Sequence, residues 1–246
     1  MDKQSARSKP RQRRQKAGQC IYCGLQGPVT DDHVPPRSFY PKDPPKNLIT
    51  VPSCSVCNGE FAKNDDYVRL VLTTTEGATG NRARDELIPA VKRFAEREGS
   101  KRILQSLYDS LDSGYYPNST GLLVRREHFI VEGARLDGFA RRVVKALFYR
   151  EKGHRLPDGY IVNAINHRRM TEIERLSGEN RDFWPFIIAE LIERRQPQAW
   201  GDVFAYSWVQ SPNDPKATWW LLEFYGTPQY LCSTWNEAAA ANWPRG

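Results

Sequence analysis

The chain has 246 residues, of which 39% are hydrophobic and 26% charged, with a formal net charge of +7. That composition supports a buried core and excludes a wholly disordered chain. No run of about 18 apolar residues is present, which excludes a membrane-spanning helix, and the first residues lack the apolar stretch of a secretion signal, so the cytoplasm is the expected location.

In chain order, the first element is a basic arm. Residues 1–17 hold seven Lys and Arg against the single acid Asp2, so nearly all of the net charge sits in this segment. We read residues 1–18 as a disordered arm suited to a polyanion, with Arg11, Arg13, Arg14 and Lys16 as candidate nucleic-acid contacts. Residues 19–72 carry two C-x-x-C pairs and form a first unit. Residues 73–84 are rich in Thr, Gly and Asn and read as a linker. The remaining chain, 85–246, reads as an α+β domain of unknown function. Its apolar spacing predicts helices over 85–98, 101–111, 136–151 and 181–195. Residues 115–121 form a turn cluster, and Leu122–Arg125 and Phe129–Val131 are short candidate strands. Six of the seven Trp fall in the last fifty residues. There Val203–Val209, Thr218–Tyr225 and Tyr230–Ser233 predict an antiparallel meander around a packed aromatic core. Cys232 reads as a small buried hydrophobe. His128, His154 and His167 belong to no motif, and Arg141-Arg142 and Arg168-Arg169 read as solvated faces or as extensions of a nucleic-acid track.

Chemistry concentrates in the first unit. Cys20/Cys23 and Cys54/Cys57 supply four thiolates in the spacing of a tetrahedral zinc site. A closed four-cysteine site of this kind holds a fold and leaves no open coordination position. Between the pairs lie Asp31-Asp32-His33-Val34-Pro35-Pro36, then the extended segment Asn47–Val51. Asn58 and a predicted helix follow the second pair. A histidine accepts a proton near neutral pH, and Asp32 is a hard oxygen donor suited to Mg²⁺ or Mn²⁺. Adjacent strand residues point to opposite sides, so Asp32 and His33 serve one phosphate only if the strand ends there, and Pro35-Pro36 ends it.

The combination Cys20-x-x-Cys23, Asp32-His33-x-x-Pro36, Asn47-Leu48 and Cys54-x-x-Cys57-Asn58 resembles the HNH endonucleases. The resemblance covers residues 20 to about 66. It implies a ββα-metal module stapled by structural Zn²⁺, with His33 as general base, Asp32 and Asn58 as ligands of a catalytic Mg²⁺ or Mn²⁺, and Asn47 orienting His33. Asn stands at 58 where some relatives carry His, and Ala62 occupies the position of a further His. The resemblance implies phosphodiester hydrolysis, of DNA before RNA, leaving 5′-phosphate and 3′-hydroxyl ends. It also carries an association with mobile elements and bacterial anti-phage systems, and with control by a protein partner or a homodimer. Arg37 and Lys63 are further candidate phosphate contacts. The rival expectation is a zinc-ribbon nucleic-acid-binding protein without chemistry.

Overall fold

A computed structural model describes residues 15–40, 44–74, 89, 91–92, 94–96, 100–117, 120–166, 183–194 and 200–240. The fold is mixed α+β with antiparallel sheets. It begins with β1 (Lys16–Gln19), β2 (Gln26–Val34) and β3 (Ile49–Cys54), which form a three-stranded sheet in that order. Lys16–Gln19 therefore corrects the expected arm: its last residues pair with β2, Lys16 opposite Val29. Residues 1–14 lie outside the described residues, and so do Arg11, Arg13 and Arg14.

Helix α1 (Ser55–Thr74) starts directly from β3. It takes in Thr73 and Thr74, which the sequence assigns to the linker. The predicted helix at 85–98 falls largely outside the described residues. Next come α2 (Ser100–Asp109), β4 (Asp112–Pro117) and β5 (Leu123–His128). Here the structure corrects the expected pattern. One strand replaces Leu122–Arg125 and Phe129–Val131, and its hairpin partner includes Tyr115 and Tyr116 of the expected turn cluster. Cross-strand pairing of Tyr115 with Arg125 and of Tyr116 with Val124 outweighs the local turn signal of Pro117 and its neighbours.

Helix α3 (Gly133–Lys152) extends the predicted 136–151 by one turn. It stops at Gly153, whose φ of +75° is open to glycine at little cost and whose N–H bonds the Tyr149 carbonyl. The last sheet comprises β6 (Tyr160–Asn166), β7 (Phe204–Gln210), β8 (Thr218–Phe224) and β9 (Thr227–Asn236), in the order β6-β9-β8-β7, with α4 (Phe183–Glu193) before β7 and α5 (Glu237–Ala240) after β9. The predicted meander is present, and β6 adds a fourth strand at its edge. The turn between β8 and β9 has positive φ at both Tyr225 and Gly226, the geometry that matches the right-handed twist of a tight hairpin.

The sheet is covered on both faces. On one, Ile187 and Leu191 of α4 pack on Val209, Leu221 and Leu231. On the other lies α3, whose Phe139, Val143 and Leu147 are almost fully buried. The opposite flank of α3 meets α1 and the β2–β3 hairpin, so α3 is central. A single apolar cluster consequently joins the cysteine-rich unit to the C-terminal sheet. Phe39, on a 3₁₀ turn after β2, stacks on Phe139 at 5.6 Å and lies 6.2 Å from Phe224 and 6.4 Å from Tyr225. Tyr67 of α1 accepts the Glu132 N–H at its hydroxyl, 2.7 Å. Trp200 donates from Nε1 to the Asn47 carbonyl, 3.1 Å. The two stretches that read as separate units in the sequence share one core. The aromatic C-terminus is packed as expected, with Trp220 fully buried and stacked on Trp208, and Cys232 is buried in β9.

Phe39→Ala is expected to cost about 3–5 kcal/mol, as for a large core aromatic. Urea unfolding followed separately at zinc-dependent and tryptophan signals should show the same loss of stability in both.

Candidate zinc and phosphodiester site

The cysteine site is built by the turn between β1 and β2 and by the β3–α1 junction. After β1, Cys20 N–H bonds the Leu25 carbonyl and Gly24 N–H bonds the Cys20 carbonyl. Gly24 has φ +78°, and a Cβ there would approach the Arg155 guanidinium to 3.0 Å. This turn therefore needs glycine both for its backbone and for the close approach of Arg155. Cys54 ends β3 and Cys57 falls in the first turn of α1. The ligand atoms of Cys20, Cys23, Cys54 and Cys57 all lie within 4.8 Å of one another, and the Cys23 and Cys54 Sγ atoms are 3.8 Å apart. A tetrahedron of thiolates 2.3 Å from zinc has sulfur–sulfur edges of roughly 3.8 Å, and none of the four is in a disulfide. The donor set and its spacing fit a metal such as zinc.

The protonation of these thiols points the same way. Burial opposes ionisation of Cys20, but backbone N–H groups of Cys54, Cys23 and Tyr22 bring its pKa down to about 7. Burial pushes Cys57 up, and its contacts with Cys54 and Cys23 push it further. Four touching sulfurs cannot all ionise unless a cation compensates them. Arg155, held by Asp158 at 2.7 Å, supplies one positive charge beside the cluster from the far end of α3.

The hairpin carries the remaining candidates. Asp32 faces Val51 and His33 faces Thr50 across the β2–β3 ladder. The strand ends at Val34, before Pro35-Pro36, as the sequence indicates. His33 is half-buried. Strand alternation places it on the side opposite Asp32. Asn58, on α1, donates from Nδ2 to Thr30 Oγ1 at 3.2 Å. Thr30 lies two residues before Asp32, so Asn58 sits along the face of β2 to which Asp32 points. Asn47 is exposed in the turn before β3. Arg37 and Lys63 are exposed, and Lys16 pairs with Asp31 at 3.5 Å.

Asp32 is only 4% exposed. Its Oδ1 accepts from Arg142 Nη2 at 3.0 Å, and its Oδ2 accepts from the same nitrogen at 3.2 Å and from the Tyr22 hydroxyl at 2.8 Å. Arg142 Nη1 also donates to Asp65 Oδ1 of α1 at 2.6 Å. Its guanidinium lies 4.4 Å from the Phe61 ring centroid, and Tyr22 meets the same ring edge-on at 4.7 Å. Both readings of Arg142, a solvated face and a nucleic-acid track, are thereby corrected, because the side chain is buried in an ion pair. The sequence did hold a signal for this. Position 142 lies three residues after Phe139 and four before Ala146, on the apolar stripe of α3, where an arginine needs a buried acid. Tyr22, which belongs to none of the sequence motifs, and Asp65 of α1 complete this cluster.

Burial pushes Asp65 up to about 6, against the opposing pull of Arg142. The Tyr22 hydroxyl is held well above its usual range by burial and by the Asp32 carboxylate, so it remains a donor. Both oxygens of Asp32 are thus already engaged with a guanidinium and a phenol. Asp32 and Asn58 as arranged do not form the open ligand pair that a divalent ion requires. Comparisons with family models, curated proteins and solved structures find no match to this chain.

Two outcomes follow. Cys20→Ser or Cys57→Ser should lower bound zinc, measured by mass spectrometry or a chromophoric chelator, below one ion per chain. The wild type should release zinc more readily at pH 5 than at pH 8, because the thiols must lose protons to bind. For Asp65, the folded carboxyl titrates near 6 and the unfolded one near 3.8. Its contribution is therefore present below the unfolded value and lost as pH rises through the folded value. In urea titrations between pH 4 and 7, Asp65→Asn should gain stability relative to wild type as pH rises.

Proposed function

We propose that this protein is an endonuclease that hydrolyses phosphodiester bonds of nucleic acid, DNA before RNA, at His33. The observation that carries the reading is the four-cysteine cluster. It ties the hairpin bearing His33 to the start of the helix bearing Asn58, in the order of the motif that resembles the HNH endonucleases. His33 sits at the end of a strand and is half-buried, so a base is held on a rigid element yet reachable.

In the proposed reaction, the His33 imidazole accepts a proton from water. The water oxygen attacks phosphorus in line, the bond to the 3′ oxygen breaks, that oxygen takes a proton from solvent to leave as hydroxyl, and His33 returns its proton to solvent. The product ends are 5′-phosphate and 3′-hydroxyl. Exposed Arg37 and Lys63 and the basic N-terminal residues supply cations for the polyanion. Mg²⁺ or Mn²⁺ is the catalytic ion that the resemblance implies. Asp32 is committed to Arg142 and Tyr22, so no step is routed through such an ion.

That same commitment favours one other reading, a zinc-stapled nucleic-acid-binding protein without catalysis. Incubation of the zinc-loaded protein with supercoiled plasmid, with and without added Mg²⁺ or Mn²⁺, separates the two. The nuclease reading expects cleavage by wild type and a loss of 10²-fold or more in His33→Ala, typical of removing a general base, with zinc content unchanged. A gel shift without cleavage under all conditions supports the binding protein.

A further inference from the structure

The proposed reaction rests on a hairpin whose shape is fixed from outside the cysteine-rich segment, and this points to a residue that the motif does not contain. Arg142 belongs to α3, 110 residues after Asp32. It is 4% exposed. It bonds both oxygens of Asp32 and one of Asp65 and lies over the ring of Phe61. Asp32 is the residue immediately before His33, and their backbones share one peptide plane. Whatever holds the Asp32 carboxylate therefore sets the position of His33 along β2.

The other fixed point of Asp32 is the Tyr22 hydroxyl, between the zinc-site residues Cys20 and Cys23. Asp32 is thus spanned between the zinc turn on one side and α3 on the other. A planar guanidinium serves both carboxylates at once through separate nitrogens, which a lysine ammonium cannot reproduce.

We propose that Arg142 is a positioning residue of the hydrolytic site, and that α3 is part of that site. The inference rests on the nuclease reading. Arg142 is buried, only 4% exposed. It acts by holding Asp32, and through it the strand end that presents His33. The segment 19–72 is then not a self-sufficient nuclease, because a buried carboxylate at the base-bearing strand takes its partner from residue 142.

The test uses the full-length, zinc-loaded chain and compares wild type, His33→Ala, Arg142→Lys and Arg142→Ala in steady-state plasmid cleavage. Zinc content and the folded fraction are measured on the same samples. Per folded molecule, kcat of Arg142→Ala should fall 10²-fold or more, the scale of a misplaced catalytic group, while KM changes less than about threefold. Arg142→Lys should recover only part of this, and millimolar guanidinium or ethylguanidinium should raise kcat of Arg142→Ala but not of His33→Ala. If wild type cleaves, His33→Ala does not, and both Arg142 variants keep wild-type kcat per folded molecule, Arg142 is purely structural and the inference alone fails. If Arg142→Ala does not fold, partial recovery in Arg142→Lys carries the test, and an unchanged kcat there overturns the inference. If wild type fails to cleave, or His33→Ala still cleaves, the nuclease reading fails and the inference with it.

Discussion

The buried ion pair between Arg142 and the carboxylates of Asp32 and Asp65 is the constraint around which the rest is arranged. A guanidinium taken out of water is costly unless its donors meet acceptors, and removing one partner of such a pair typically costs about 3–5 kcal/mol. That penalty makes the pair selective: it tolerates only packings in which α3, α1 and β2 converge on the same point. The aromatic rings of Phe61 and Tyr22 close the remaining sides. The stacked Phe39, Phe139 and Phe224 do the same on the apolar flank of α3. Charge specifies the alignment, and aromatic burial supplies the driving force.

The zinc-type cysteine cluster is the second anchor of the same hairpin. The cysteines join the turn after β1 to the end of β3, and Tyr22 inside that turn reaches Asp32. Arg155, just beyond the end of α3, lies against Gly24 in the same turn. Helix α3 thus contacts the hairpin through Arg142 and, by the segment that follows it, the cysteine turn through Arg155. One phenol, Tyr22, links the cysteine turn to Asp32, and Arg142 links Asp32 to α3. These links tie the hairpin into a larger α+β body.

Much of this was legible in the sequence, for reasons tied to individual residues. Cys20, Cys23, Cys54 and Cys57 announced their cluster because thiolate pairs at this spacing have few other uses. Pro35-Pro36 marked the end of β2, and Phe139, Val143 and Leu147 marked α3 through helical periodicity. The β7–β9 meander was visible in its aromatic runs. Strands β1 and β4 were not, because short segments such as KAGQ and DSGYYP take their extended form from pairing partners and carry no apolar alternation of their own. Arg142 was misread for a related reason. Its place on the apolar stripe of α3 signals burial, but Asp32 lies 110 residues away, where no local pattern reaches. Phe39 and Tyr67 were silent for the same reason, since they meet residues that only the tertiary fold brings near.

The central claim is that hairpin, α1 and α3 form one cooperative body clamped by Arg142. Native-state hydrogen exchange on the zinc-loaded full chain tests it most directly, by comparing the amides of β2–β3 with those of the buried stretch 139–148 of α3. The account expects both sets to exchange through the same global opening, with equal free energies and equal denaturant dependence. If the β2–β3 amides exchange through a separate opening several kcal/mol lower, with α3 still closed, the hairpin is an independent unit and the account is contradicted.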